Sequence, residues 1–231
     1  EWVMGWRARD EPELAGLLSC AEHYQAPLLA SGFELKYWSR ETMLAWAMQR
    51  AGVEVDGPLI ERVMGRYWAE VSRATRLAPG ARETLDALRG HGVPFVLATN
   101  SDGVLRWDAA LQGFAYDPAH ARGVKIERLR GALGALGVEE DAVLVGDPVG
   151  KPTAVFAQRV MDSLAEAAGP RDWATAVAIG DSFPGDIEPF LALGVGRGVW
   201  LRTRAQGRCE DSRVQTVPNL AAWLPHVFPE A

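Results

Sequence analysis

The sequence is poor in cysteine. Its 231 residues contain two, Cys20 and Cys209, which lie far apart and outside any spacing typical of a metal site. Two such residues do not form the disulfide framework of a small secreted domain, so we expect free thiols in a reducing compartment. The expected location is the cytoplasm.

Long apolar runs and long basic runs are missing as well. No apolar run reaches the roughly 20 residues of a transmembrane helix, and no secretory signal pattern is present. The 24 basic residues are outnumbered by 30 acidic ones, the net charge is -6, and no Lys/Arg run suits a phosphate backbone. We therefore expect a small-molecule partner, and neither a nucleic acid nor a membrane.

Lysine is scarce. Lys36, Lys125 and Lys151 stand beside 21 arginines. A lysine places a point charge on a flexible stem, which can neutralise a phosphate or a carboxylate. Each of the three positions is therefore a candidate for a specific role.

Short apolar runs alternate with stretches of helical spacing. Runs typical of strands are VPFVLAT from residue 93, DAVLVG at 141–146, ATAVAIG at 174–180 and GVGRGVWLRT at 194–203. Such alternation predicts an α/β fold, a doubly wound parallel sheet with right-handed helical crossovers. Ligands of these sheets bind at the carboxyl ends of the strands.

The first third of the chain is different because no strand pattern lies between Asp10 and Pro79. Ser39 is a candidate N-cap for a helix, and further helical patterns follow. We expect residues 11–78 to form a helical cap, and residues 1–10 and 79–231 to form the α/β core. Residues 103–123 read as an additional excursion from that core.

Three motifs follow the predicted strands in order: FVLATNS, VGKP and AIGDSFPGDI. They resemble motifs II, III and IV of the haloacid dehalogenase (HAD) superfamily, and the helical insert is similar to its C1-type cap. The resemblance covers nearly the whole chain from Asp10 onward. It implies a Rossmann-like core in which an aspartate at the end of the first strand attacks phosphorus and a second aspartate acts as general acid and base.

The resemblance also assigns ligand contacts to the segment after the first of these strands. Motif II matches Thr99, whose hydroxyl would donate to a phosphoryl oxygen. The backbone amides of Asn100 and Ser101 lie behind it and are the other expected ligand contacts.

The remaining motifs carry charge. Lys151 stands at the motif III position and would neutralise both a phosphate and a carboxylate. Motif IV implies that Asp181 and Asp186 hold Mg²⁺, so Lys151 and Asp181 are inherited catalytic positions. Without a further carboxylate these acids offer few ligands, and we expect Mg²⁺ binding to be weak or absent.

The aspartate motif D-x-D-x-[TV] is not found ahead of the cap. The N-terminal sequence EWVMGWRARDEPELAGLL aligns in two ways. In one, WVMGW stands at the motif and retains Gly5. In the other, which we favour because it leaves an actual strand, WVMGW is the strand, and Arg7 and Arg9 replace the two aspartates. The guanidinium groups of Arg7 and Arg9 would then pair with Asp181 and Asp186 or bind the ligand. Alternatively, both arginines are exposed at a frayed terminus. A third alternative places the motif ahead of Glu1.

Aromatic residues suggest a second kind of contact. Trp38 and Tyr37 lie in a predicted cap loop, Trp2 and Trp6 lie near the missing motif, and Trp107 follows motif II. Aromatic faces around a dry pocket bind apolar or cationic ligands, although core filling explains the same residues. Trp38 is therefore a candidate ligand contact.

Three functions are consistent with these patterns. The first is a HAD-like protein that lacks the aspartyl nucleophile and uses the cleft between cap and core to bind a small, anionic or phosphorylated ligand, or for non-phosphoryl chemistry. The second is a Mg²⁺-dependent HAD hydrolase whose first motif is absent from this chain. The third is a non-catalytic scaffold for a partner or a homodimer.

Overall fold

The computed structural model of the chain describes residues 11–36, 39–170, 172–202 and 209–228. The predicted ligand residues Arg7, Arg9 and Trp38 lie outside these ranges. Contacts divide the chain into two compact units, one from the described residues of Glu1–Ala74 with Ser101–Arg128, the other from those of Thr75–Asn100 with Leu129–Ala231. No helix in the described part combines the length and apolar character needed to cross a membrane.

The first unit begins with helices. They are α1 (Glu11–Tyr24), α2 (Ala26–Ala30), α3 (Arg40–Arg50) and α4 (Gly57–Ala74). Ser39 caps α3 as predicted, since its hydroxyl accepts a hydrogen bond from the Thr42 amide. No strand occurs among the described residues up to Ala74, in agreement with the helical pattern.

The segment 103–123 joins this helical unit. Strands β2 (Arg106–Asp108) and β3 (Gly113–Ala115) form an antiparallel hairpin, and α6 (Pro118–Leu136) follows it. Val104, Leu105 and Phe114 are buried in one apolar cluster with residues of α1, α3 and α4. The segment 103–123 is therefore part of the helical unit, whereas the sequence pattern placed it in the α/β core.

A close backbone approach explains how the hairpin reaches α4. A Cβ atom at Gly57 would lie 2.1 Å from the ring of Trp107, so the indole occupies the space that any other residue would fill. The fully buried Phe114 packs edge-on against Trp107 with ring centroids 5.4 Å apart. One glycine and two aromatic rings thus fix the hairpin on the helix.

The second unit contains the parallel strands. They are β1 (Leu97–Asn100), β4 (Val143–Gly146), β5 (Val177–Gly180), β6 (Arg197–Leu201) and β7 (Val214–Val217). Helices α5 (Ala81–Gly90), α7 (Ala154–Ala168), α8 (Glu188–Ala192) and α9 (Leu220–Val227) connect or cover them, and α9 lies against α5. The predicted α/β class with parallel strands is confirmed.

The described parallel strands pair in two groups, β1 with β4, and β5, β6 and β7 in that order. All these pairs are parallel. The strand predicted from WVMGW lies outside the described residues.

Both cysteines are free thiols, as predicted. Cys20 is buried in the helical unit, and burial raises the pKa of its thiol to about 11 because the thiolate would lose its hydration. At neutral pH this thiol stays protonated and packs as a small apolar group.

The helical unit also buries a carboxyl group. Glu41 is 3% exposed, and the Ser39 hydroxyl donates to its Oε2 at 2.5 Å. Burial raises the pKa of Glu41 above its ordinary value, and the hydrogen bond from Ser39 opposes this shift only in part. The charged form of Glu41 therefore costs free energy in the folded state.

Glu41→Gln is expected to stabilise the protein at slightly alkaline pH. A carboxyl whose folded pKa is raised contributes stability below its unfolded pKa and loses that contribution as pH rises through the folded pKa. The variant does not titrate, so its advantage over wild type should grow between about pH 5 and about pH 8, to on the order of 1 kcal/mol. Urea unfolding at both pH values measures it.

The exposed Glu22 of α1 provides the control for net charge. Glu22→Gln removes the same formal charge without a buried group. If both variants gain the same stability relative to wild type between the two pH values, burial of Glu41 is not the cause of the gain.

Candidate functional site

The carboxyl ends of the parallel strands carry most of the predicted site residues. Thr99 lies opposite Val145, and Asn100 lies opposite Gly146 at the ends of β1 and β4. Strand β5 ends at Gly180, and Asp181 follows directly. Because the strands within each sheet run in the same direction, the carboxyl ends of each sheet lie on one side of it.

Asn100 holds the turn that carries Lys151. Its side-chain amide donates to the Lys151 carbonyl at 3.0 Å, and its Oδ1 accepts from the Lys151 amide at 2.6 Å. A Cβ atom at Gly150 would lie 2.3 Å from Asn100 Oδ1, so this clamp requires glycine there. The side chain of Asn100 positions Lys151 rather than facing a ligand.

Lys151 pairs with Asp186. Its Nζ lies 2.5 Å from Asp186 Oδ1, with side-chain exposures of 23% for the lysine and 8% for the aspartate. Asp186 Oδ2 accepts a hydrogen bond from the Ser182 amide at 2.9 Å. Lys151 therefore links the end of β1, through Asn100, to the segment after β5.

Gly180 makes room for this pair. A Cβ atom at Gly180 would lie 2.1 Å from the Asp186 Cβ, closer than two carbon atoms can approach. The residues Phe183–Ile187 form a π-helical turn that returns Asp186 to the strand end. The G-D-x4-D spacing thus brings its second acid back against the glycine.

The two acids of this motif differ in their surroundings. Asp181 is exposed, and among the described residues its carboxylate makes no hydrogen bond. Its backbone carbonyl accepts from Trp200 Nε1 at 3.1 Å, which ties the residue to β6. Asp186 is engaged by Lys151 and Ser182, whereas the carboxylate of Asp181 faces solvent.

The two hydroxyls of motif II make local contacts. Thr99 Oγ1 donates to the Asn100 carbonyl at 3.3 Å, and Ser101 Oγ accepts from the Gly103 amide at 3.3 Å. Both distances lie at the long end for hydrogen bonds. The hydroxyls can exchange such contacts for a ligand at small cost, and their ligand-binding roles stay predictions.

A metal site requires several oxygen ligands, and the described residues supply few. No group of three His, Cys, Asp or Glu side chains suited to a metal ion occurs among them. Mg²⁺ binds through one or two carboxylates together with water and substrate phosphate. In the described part, Asp181 is available for that role, whereas Asp186 already neutralises Lys151.

The second unusual lysine belongs to the helical unit. Lys125 is 6% exposed, and its Nζ lies 3.3 Å from Asp102 Oδ1. Arg128 donates to both oxygens of the same carboxylate at 2.8 Å. Sequence analysis missed Asp102, although it directly follows motif II and is an acid of the kind that a buried lysine requires.

Comparisons with known proteins give the fold. No protein-family model and no curated protein matches this sequence. A haloacid dehalogenase-like family hydrolase from Xanthomonas campestris is similar in structure, with 19% identity, a TM-score of 0.52, and coverage of 96% of this chain and 85% of that chain. YfnB of Bacillus subtilis, described as a HAD-hydrolase and bound to magnesium, has 14% identity, a TM-score of 0.51, and coverage of 97% and 84%. At these identities the likeness shows the fold, which is HAD-like.

Proposed function

We propose that this HAD-like protein binds a small anionic ligand, recognised through a phosphate group, at the carboxyl ends of β1, β4 and β5, and that it forms no aspartyl-phosphate. The observation that carries the proposal is the Lys151–Asp186 pair. It holds an ammonium group at the strand ends, 23% exposed, within a turn clamped by Asn100. A phosphate is the chemical group that a positioned lysine at such an edge suits best.

The chemistry of the site follows from its charges. An arriving phosphate competes with Asp186 for the Lys151 ammonium and accepts a hydrogen bond from the Thr99 hydroxyl. Asp186 is retained beside the lysine, so the ligand meets a partly neutralised cation, and binding is reversible and modest. In the favoured N-terminal alignment, Arg7 and Arg9 would add positive charge where a phosphatase carries two aspartates.

A second candidate function rests on Asp181. Its exposed carboxylate, free of hydrogen bonds within the described residues, is a suitable single protein ligand for Mg²⁺, and one structural relative is bound to magnesium. When bound, the ion would neutralise phosphate charge and orient the ligand. This arrangement corresponds to a Mg²⁺-dependent hydrolase, and it requires a carboxylate nucleophile that the sequence of residues 1–10 does not present at the motif.

Calorimetric titration with inorganic phosphate and phenyl phosphate tests the proposal. Lys151→Ala is expected to weaken binding by about tenfold or more, because it removes a charge-assisted hydrogen bond. Asp186→Asn is expected to strengthen binding, because it removes the carboxylate that competes for Lys151. Lys36→Ala removes one lysine charge from the helical unit and should leave the affinity unchanged.

Asp181→Asn separates the two candidates. If Asp181→Asn abolishes binding and wild-type binding requires Mg²⁺, the Asp181 carboxylate serves a metal and the proposal is wrong. Unchanged phosphate affinity in Lys151→Ala would also overturn it.

A further inference from the structure

A cavity of about 900 Å³ opens within the helical unit. Its walls come from α4, from the β2–β3 hairpin and from the first half of α6, and its apolar lining includes Ile60, Met64, Trp68, Trp107, Phe114 and Val124. Small-molecule sites commonly have volumes of about 300–1,000 Å³ and largely apolar walls. Every lining residue belongs to the first unit, whereas Lys151 and Asp186 belong to the second.

Two exposed glycines line the cavity. They are Gly65 on α4 and Gly123 on α6, and a Cβ atom at either would meet no atom within 4 Å. A glycine inside a helix costs about 1 kcal/mol relative to alanine. The chain therefore carries two helix-weakening residues at positions that line the cavity.

The cavity also has polar atoms without partners. Glu41 and Trp68 line it and are 3% and 8% exposed. Glu41 Oε1 and Trp68 Nε1 make no hydrogen bond of good geometry in the described part of the protein, although the Trp68 indole and the Leu105 amide lie near enough to lower the pKa of the carboxyl. A buried polar atom left unsatisfied is costly, and a ligand that donates to Glu41 would relieve that cost.

The charges around the cavity favour a cation. Glu41 contributes a buried carboxyl group to the lining, and Glu61 and Glu127 contribute exposed ones. Of the two lining guanidinium groups, that of Arg73 pairs with Glu70 and that of Arg106 is exposed. Burial and the nearby Arg106 lower the pKa of His120, another lining residue, which favours its neutral form.

We propose that this cavity binds a small apolar molecule bearing a primary amine. The apolar part packs against Trp107, Phe114 and Met64, and the ammonium group is directed toward the Glu41 carboxylate. Aromatic faces and a carboxylate together suit an organic cation, since both attract positive charge. The inference concerns a second ligand and does not depend on the phosphate site.

Phenethylamine, phenethyl alcohol and phenylacetate are matched probes of this proposal. We expect isothermal titration of the wild-type chain to rank the amine first and the carboxylate last. Quenching of tryptophan emission should accompany binding, because Trp68 and Trp107 line the cavity. Glu41→Gln should weaken the affinity for the amine by about tenfold or more and leave the affinity for the alcohol unchanged.

The glycines supply the second test. Gly65→Leu and Gly123→Leu are expected to abolish binding of the amine while raising the melting temperature. Gly131→Leu is the control, since Gly131 lies on the same helix as Gly123, has no atom within 4 Å of its Cβ position, and does not line the cavity. It should raise the melting temperature and retain the affinity.

Several results would overturn the proposal. Equal affinity for the amine and the alcohol, unaltered by Glu41→Gln, would show that the carboxylate does not recognise a cation. Unchanged amine affinity in both glycine variants would place binding outside the cavity, and no binding of the amine by wild type would refute the site. None of these results bears on phosphate binding at Lys151, so the two proposals fail separately.

Discussion

Asp186→Ala is expected to lower the free energy of unfolding by about 3 kcal/mol. The substitution leaves the Lys151 ammonium, 23% exposed, without its carboxylate, and it leaves the Ser182 amide without its acceptor. Breaking one side of a largely buried ion pair costs more than the pair contributes in total, because the remaining charge keeps its desolvation penalty. Urea denaturation of the single variants and of Asp186→Ala with Lys151→Met measures the coupling.

The double variant should be less destabilised than the sum of the single variants, by about 1–3 kcal/mol. Glu70→Ala is the matched control, since Glu70 and Arg73 form an ion pair with side chains 65% and 71% exposed. Its effect should stay below about 1 kcal/mol, the usual range for exposed pairs. Strict additivity of Asp186→Ala and Lys151→Met would contradict the pairing.

Hydrolysis of para-nitrophenyl phosphate by this chain is expected to stay at the uncatalysed rate, with or without Mg²⁺. Covalent phosphoryl transfer requires a carboxylate in line with the leaving group. The aligned positions carry Trp2, Met4, Arg7 and Arg9, none of which forms an aspartyl-phosphate. Beryllium trifluoride, which mimics phosphate on a nucleophilic aspartate, should leave the protein unmodified.

Asp181→Asn is the informative variant for this assay. If Mg²⁺-dependent turnover is observed and this substitution abolishes it, a nucleophile is present and the hydrolase alternative holds. If no turnover occurs while phosphate binds in a Lys151-dependent manner, the ligand-binding function is supported. If neither turnover nor phosphate binding is observed, the scaffold function is favoured.

Parts of the fold were predictable because local patterns agree with it. The run ending in Gly180 became β5, and Ser39 caps α3, since hydrophobic periodicity and capping act over a few neighbouring residues. Strand β7 was missed because Val214–Val217 is short and pairs with β6 alone among the described strands. The hairpin β2–β3 was missed because its burial comes from contact with helices distant in sequence.

The site shows the same division. The order of the motifs predicted that Lys151 and the acids of G-D-x4-D lie near strand ends. The spacing of residues in the sequence does not predict that Asn100 clamps Lys151 or that Asp102 neutralises Lys125. Both contacts join residues far apart along the chain, whose distance depends on how strands and helices pack.

The sequence by itself determined the α/β class with parallel strands, the helical first third, the free thiols and the identity of the charged residues at the strand ends. Each of these depends on composition or on interactions between near neighbours in the chain. Tertiary structure alone decided that Asp186 rather than Asp181 neutralises Lys151, because Gly180 leaves room for it. It also decided that two mid-helix glycines and a buried glutamate surround one cavity, since separate elements must pack before a shared wall exists.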